Sequence, residues 1–512
     1  MRLALLLLSG VLPLTAADYV GSKACAGCHA DIYRKYSATP MALTSGPAGS
    51  VNVPDRSFTA NSGYKYSILH QDGKLILQFG KERREMAWFF GSGAAAQSYA
   101  ISADGFLYES PATWYSRQRA WAPSPNYERY SYPFLTRALA PQCLECHSTG
   151  VQSIAGTQNG FRTPPFLEGG VGCERCHGPG SAHAASGRRG DIVNPAALEP
   201  EQRDSVCAQC HLSGEIRVDR AGKSISSFRP GDKLADYSLA FVRAASSPGM
   251  KVTSHAENLA QSACSRASGE RLWCGTCHDP HSVPSATEKV AWFRSKCQTC
   301  HASDVCRRGD NCIACHMPGS GVTDAEHVVY TDHSIPRRPV QRNRTPPADA
   351  PLVAFGGAAA STRNQGLAYA IVALRERNSA YTAKAFDLLR QAESEAPDEP
   401  QTLAYLADIY KTRGDDKNAE RLYRKLYAAD PHEAGGLANL GAYEMGRGNN
   451  KLAIRFFREA LEINPALVLV RLNLAVALLR TGNKPEARTV LEKALWFNPS
   501  FQAARDLLAR IP

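Results

Sequence analysis

Residues 25–41 read CAGCHADIYRKYSATPM, with Cys25, Cys28 and His29 inside five residues and Pro40-Met41 shortly after. The same C-x-x-C-H pattern returns as CLECH at 143–147, CERCH at 173–177 and CAQCH at 207–211. It recurs as CGTCH at 274–278, CQTCH at 297–301 and CIACH at 312–316. These seven copies use fourteen of the sixteen cysteines and leave Cys264 and Cys306 over. Two thiols three residues apart with histidine directly behind them form the attachment pattern of covalent haem. The thiols bond the two vinyl groups, and the histidine supplies the proximal nitrogen to iron. Cys25/Cys28, Cys143/Cys146, Cys173/Cys176, Cys207/Cys210, Cys274/Cys277, Cys297/Cys300 and Cys312/Cys315 would hold seven haems c. His29, His147, His177, His211, His278, His301 and His316 would be their proximal ligands. Half a zinc site or a thioredoxin-like dithiol also uses C-x-x-C, but neither needs the adjoining histidine. With 14 histidines in 512 residues, seven such neighbours do not arise by accident.

The chain begins MRLALLLLSGVLPLTAADYV. A basic Arg2, an apolar run from Leu3 to Leu14 and small residues at Thr15-Ala16-Ala17 read as a signal peptide over 1–17. The run is shorter than the roughly 20 apolar residues that cross a bilayer. No later segment is long and apolar enough to span, so the mature chain is expected to be exported or periplasmic, without a transmembrane segment. In that compartment Cys264 and Cys306 are expected either to form a disulfide or to stay as buried free thiols. The formal charge of +11 fits a nucleic-acid binder poorly in an exported chain; haem propionates would offset most of it, and a patch could steer an anionic partner.

The motifs divide the chain. A haem domain over 18–333 is expected, with a β-rich insertion at about 50–140. Inside it, YKYSILHQDGKLILQF (64–79) reads as a hairpin around Asp72-Gly73, and SYAISADGFLYE (98–109) as another around Asp104-Gly105. An aromatic-rich loop follows with Trp114, Tyr115, Trp121, Tyr127, Tyr130 and Tyr132, read as cover for haem faces. Six motifs crowd into 143–333, too little polypeptide for a separate core around each cofactor, so the haems must stack closely. Residues 334–362, rich in Pro, Arg and Ala, read as an extended linker.

From 363 to 512 a period of 34 residues appears: Pro397, Pro431, Pro465 and Pro499; Gly414, Gly448 and Gly482; Ala385, Ala419, Ala453 and Ala487. That is the tetratricopeptide period, giving about four repeats and a capping helix stacked as an α-solenoid. The fold class is therefore mostly α with a small β-rich insertion, a haem-packed cytochrome domain followed by a solenoid. No attachment residue lies in the repeats, so their deletion is expected to leave the haems in place.

Seven histidines remain outside the motifs. His432 lies in the repeats and reads as a surface residue, and His70 lies on an expected strand. His183, His255, His281, His327 and His333 are the candidate distal ligands; His183 and His281 follow their own motifs too closely to reach round the same haem and should cap a neighbour.

GSKACAGCH (21–29), CERCHGPGSAH (173–183), CGTCHDPH (274–281) and CIACHMP (312–318) resemble the multihaem cytochromes c that include the tetrahaem carrier of hydroxylamine oxidation and the pentahaem nitrite reductases. TDHSIPRR (331–338) resembles bacterial multihaem cytochromes fused to tetratricopeptide repeats. The resemblance implies distal ligation by His183 and His281. The C-x-x-C-K motif of the nitrite reductases is missing, which puts that activity in doubt. Where the family presents a distal histidine in a W-x-x-S-P-H-like context, this chain has YSATPM (36–41), so Met41 is the candidate ligand. A His/Met iron has a raised potential; a methionine that merely fills a gap is the other reading.

Electron transfer along the stack, with the repeats docking redox partner proteins, is the expected function. An oxidoreductase acting on a small nitrogen or sulfur compound at one open haem is the alternative, since five histidines and Met41 supply six distal ligands for seven irons. A scaffold with haems as sensors is the third. Catalytic residues are not assignable from the sequence.

Overall fold

The computed structural model describes residues 18–128, 130, 134–244, 249–302, 309–337, 347 and 349–511. The signal peptide at 1–17, Tyr132 and Cys306, and with Cys306 the expected disulfide, lie outside the described residues.

The strand-rich segment spans residues 45–123, against an expected insertion at about 50–140. It forms a nine-stranded antiparallel sheet of β1 (Ser45–Pro47), β2 (Arg56–Thr59), β3 (Lys65–Gln71), β4 (Lys74–Phe79), β5 (Glu82–Phe90), β6 (Ala96–Ala103), β7 (Phe106–Glu109), β8 (Ala112–Tyr115) and β9 (Ala120–Pro123). The order is β2-β3-β4-β5-β6-β8-β9, with β1 on β5 and β7 on β6. Both expected hairpins are present. Asp72 and Gly73 (φ 52° and 73°) and Asp104 and Gly105 (φ 53° and 82°) make two-residue turns whose positive φ matches the twist of the flanking strands. Alternating residues Ile68, Leu75, Leu77, Met86, Tyr99 and Ile101 fill the interior. The sheet curls until β9 lies beside β2: Trp121 Nε1 donates to the Pro54 carbonyl at 3.0 Å and Arg56 to the Arg119 carbonyl at 3.4 Å. The aromatic loop mostly serves this domain. Trp121 packs on Tyr99 and Trp114, while Tyr127, Tyr130 and Phe134 pack together with Arg137 over the Tyr127 ring.

Short helices and two-stranded ladders follow. β10 (Ser148–Ser153) pairs with β11 (Phe161–Gly169) between the second and third motifs. β12 (Ile216–Asp219) pairs with β13 (Ser238–Arg243), and β14 (Gly319–Gly321) with β15 (Val329–Thr331). A last strand, β16 (Leu352–Ala354), adds to β13 with Arg243 opposite Leu352 and Phe241 opposite Ala354. Part of the stretch read as a linker is thus a sheet strand, because Leu352 has an apolar seat beside Phe241 that a tether would not fill.

The C-terminal region is the expected stack of helix pairs: Thr362–Glu376 with Ser379–Glu395, Pro400–Thr412 with Asp416–Ala429, Ala434–Gly446 with Asn450–Ile463, and Val468–Arg480 with Lys484–Phe497, closed by Gln502–Ala509. Ala385, Ala419, Ala453 and Ala487 are fully buried and let paired helices approach. Gly414, Gly448 and Gly482 take positive φ in the turns between partners.

The solenoid is joined to the rest at both ends. At its start, Val218, Leu239, Phe241 and Leu352 share one core with Leu367, Val372 and Leu389, and Arg243 Nη2 reaches both oxygens of Glu376 at 2.6 Å. At its end, Ala466 and Phe497 enter the core of the nine-stranded sheet, and Leu135 N donates to the Phe497 carbonyl at 2.7 Å. Arg84 stacks 4.4 Å over Trp496. Among the described residues no helix is long and apolar enough to cross a membrane.

Candidate haem-binding site

Each motif is wound into one helical turn. The histidine N–H donates to the carbonyl of the first cysteine at His29 (2.9 Å) and at His177, His278 and His301 (3.0 Å each). The other three motifs lie in the helices Pro141–His147, Pro200–His211 and Cys312–His316. Residues i, i+3 and i+4 share one helix face, so two sulfurs and one imidazole are presented together.

The turns are packed against one another. Thiols meet within hydrogen-bond reach between motifs: Cys25 with Cys173, Cys146 with Cys210, Cys207 with Cys274, and Cys297 with Cys312. Burial pushes Cys176 and Cys297 up to about 11. Cys210 is drawn down to about 7, chiefly by its hydrogen bond to Cys146, with Arg175 and Arg217 overcoming part of the cost of burial.

Four candidate attachment residues, Cys28, Cys143, Cys300 and Cys315, are exposed. The sixth and seventh motifs meet through their first cysteines, Cys297 and Cys312, so Cys300 and Cys315 are left on the outer side of that contact. Cys300 has the Thr299 hydroxyl 3.9 Å from its sulfur. The first motif likewise meets the third through Cys25, which leaves Cys28 outside.

The braces come from residues the motif leaves free. In CERCH, Glu174 accepts from the backbone of Val20 (2.9 Å), Gly21 (2.8 Å) and Gly180 (2.7 Å). Its neighbour Arg175 reaches Glu145 of CLECH, with Nη1 3.2 Å from Oε2 and Nη2 donating to its carbonyl at 2.9 Å. Gln209 of CAQCH donates to the Arg175 carbonyl at 3.0 Å. Ser22 accepts from Cys173 N at 2.9 Å and donates to Glu168 at 2.8 Å, which seats the first motif on the third.

The histidines outside the motifs test whether these residues suit a haem. Metal–imidazole bonds of about 2 Å put two imidazoles on opposite sides of one metal at a centroid separation of about 6 Å. His29 and His183 are 6.3 Å apart, His177 and His281 6.0 Å, and His278 and His333 6.2 Å. Nδ1–H of His177 donates to the Val193 carbonyl (2.7 Å), that of His183 to Arg188 (2.8 Å), and that of His333 to Thr331 (2.9 Å). His316 does the same to Pro336 at 3.0 Å. Such bonds fix the ring and leave Nε2 for a metal. His255 lies closer to His211, with a centroid separation of 5.0 Å and 3.4 Å between the Nδ1 atoms, and also contacts His333 at 4.7 Å. Burial and neighbouring imidazoles lower His255 to about 3 and His278 to about 4, keeping both in the neutral form that ligates.

The remaining candidates stand apart from these pairs. His147 is half-buried and edge-on to Phe90, and its carbonyl accepts from Thr44 (2.9 Å) and Ser45 (2.7 Å), while its buried Nδ1 has no partner among the described residues. Met41 is half-buried between the second and third motifs: its carbonyl accepts from Val171 N and from Thr44 Oγ1, both at 3.0 Å. His327 is exposed and edge-on to Tyr115 at 5.2 Å. His301 is exposed. His70 is held at the end of β3 by Asp55, Nδ1 to Oδ1 2.5 Å, and His432 is exposed beside Gly156.

A family model described as "Cytochrome c554 and c-prime" matches residues 115–178, which contain the second and third motifs. A tetratricopeptide repeat model matches residues 444–511. The chain is similar to multihaem cytochromes c. "Multiheme cytochrome MtrA" of Shewanella baltica (strain OS185) is 27% identical over 211 residues, covering 38% of this chain and 57% of that protein. Among solved structures, MamA is 19% identical with a TM-score of 0.24, over 26% of this chain and 78% of MamA. The pilF protein of Pseudomonas aeruginosa is 25% identical with a TM-score of 0.26, over 29% of this chain and 67% of pilF. The cytochrome matches imply covalently bound haem c, and tetratricopeptide repeats are protein-interaction modules.

Proposed function

We propose that this protein is an exported electron-transfer cytochrome of the tetrahaem and pentahaem type, carrying seven covalently attached haems in a close stack. The repeats dock its redox partners. The observation that carries this reading is the set of three histidine pairs at 6.0–6.3 Å, each uniting a motif histidine with a candidate distal histidine from elsewhere in the chain. Two protein ligands per iron suit repeated one-electron exchange, with axial ligand, burial and hydrogen bonding as the means of tuning. In this reading Met41 ligates a haem, either that of the first motif or a close neighbour's, and makes it a high-potential centre.

A second reading is an oxidoreductase acting on a small nitrogen or sulfur compound at one open haem. It is favoured by His147, His301 and His316, which face no imidazole in the described contacts. Electron paramagnetic resonance of the oxidised holoprotein, with and without nitrite or hydroxylamine, separates the two. An all-low-spin spectrum that neither compound alters supports electron transfer, and a high-spin signal that either one perturbs supports catalysis.

A further inference from the structure

Arg217 carries a charge that its neighbours leave uncompensated. Its Nη1 donates to the Gln209 carbonyl at 2.6 Å and its Nη2 to the Ala208 carbonyl at 2.8 Å, capping the helix that ends in the fourth motif. Its Nε is buried without a partner among the described residues. The carboxylates whose field reaches it are bonded elsewhere: Asp219 accepts from Ile225 N at 3.3 Å, and Glu257 from Ser213 N at 3.2 Å and Gly214 N at 2.9 Å. The field of Arg175 reaches the same pair of thiols, and Arg175 is bonded to Glu145 and to Cys210. Two guanidinium groups therefore act on Cys146 and Cys210, and only one of them has a paired carboxylate. Glu145 answers Arg175 and leaves Arg217 over. A buried charge with no counter-charge is strongly unfavourable, and the group that such a cluster awaits is anionic or gains negative charge in use.

We propose that Arg175 and Arg217 are positioning residues that raise the reduction potential of the haems held by the second and fourth motifs. Reduction adds one electron to each of these centres, and a fixed positive charge in a low-dielectric interior favours the state that holds it. The place matters because the fourth motif is a junction, with Cys210 meeting Cys146 of the second and Cys207 meeting Cys274 of the fifth. Electrons entering from several directions would settle there. The inference rests on the electron-carrier reading above.

The test is spectroelectrochemical titration of the full-length holoprotein with parallel haem quantification, for the wild type, Arg217→Gln, Arg217→Lys and Arg175→Gln. Arg217→Gln is expected to keep the haem content and shift the highest midpoint potentials downward, leaving the others in place. Arg217→Lys, which keeps the charge, restores them. Arg175→Gln leaves the cap of the fourth-motif helix intact and moves the same centres downward, so it decides the matter if Arg217→Gln does not fold. Unchanged midpoints in both glutamine variants at full haem content overturn the proposal, as does an equal shift in Arg217→Lys. A wild type without covalent haem would refute the electron-carrier reading instead.

Discussion

Gln209 shows how much a single unconstrained motif position can hold. Its amide donates to the carbonyls of Arg175 (3.0 Å) and Val206 (2.8 Å) in a buried setting. Gln209→Ala is expected to destabilise the fold by about 1–3 kcal/mol, because a buried acceptor is left unpaired; urea unfolding monitored in the Soret band measures it. At the axial positions, His183→Ala and His281→Ala should each keep the full haem count, since attachment rests on the thioethers and the motif histidine. Each should add one high-spin ferric signal, and a spectrum that stays entirely low-spin would refute the pairing. Met41→His should lower one midpoint potential and remove a sulfur-to-iron charge-transfer band at the red end of the spectrum. If the wild type lacks that band and no potential moves, Met41 only packs. The motif cysteines and histidines are legible in the sequence because their spacing is local and repeats. Which of them end up inside the packed turns is not: Cys297 and Cys300 share one motif, yet only the first meets another motif's thiol. Nor is it legible which distal histidine meets which motif, since the contact of His183 with His29 depends on how Glu174 and Ser22 bring distant segments together.

The elements divide along the same physical line. The hairpin turns at Asp72-Gly73 and Asp104-Gly105, and the helix pairs with their buried alanines, follow from signals a few residues wide. The sheet of β12, β13 and β16 does not, because β16 lies far along the chain from the other two strands and hides in a Pro- and Arg-rich stretch. In the solenoid, Gly441 marks a close helix crossing: a Cβ there would stand 2.5 Å from the Phe457 ring. Gly441→Ala should therefore cost about 1–3 kcal/mol by overpacking, where an exposed helical glycine changed to alanine would gain stability. Thermal unfolding of the two kinds of variant gives opposite signs.

At the scale of the molecule, the haem-motif region and the repeats share a core, so cutting the chain before residue 362 would bare Phe241, Leu352 and Val218. Such a truncation is expected to lose solubility or haem, contrary to what the distribution of attachment residues alone implies. The polar part of this junction is pH-dependent. Burial opposes ionisation of Glu376, but its bonds to Arg243 and Arg375 outweigh it and hold its pKa below the ordinary 4.5. A folded value below the unfolded one stabilises the junction at neutral pH, and the gain disappears as pH falls through the depressed value. The difference in Tm between the wild type and Glu376→Gln should be largest near neutrality and vanish in acid, and a difference that grows in acid would contradict the assignment.

The seating of Ala466 and Phe497 in the nine-stranded sheet also sets a schedule. A chain made from its N-terminus outward completes the strands of that sheet hundreds of residues before the segment that plugs it exists. Until Phe497 arrives, the ring of Tyr108 that it meets at 5.2 Å and the edge near Leu135 face whatever else is near. Closing so long a span is slow compared with pairing adjacent strands. The nascent protein therefore passes through an interval with an open, sticky mouth, and cofactor attachment along the intervening motifs falls within that interval. Cells short of holdase chaperones should accumulate aggregates, not partly assembled soluble protein, and Phe497→Asp should produce the same outcome even when chaperones are plentiful.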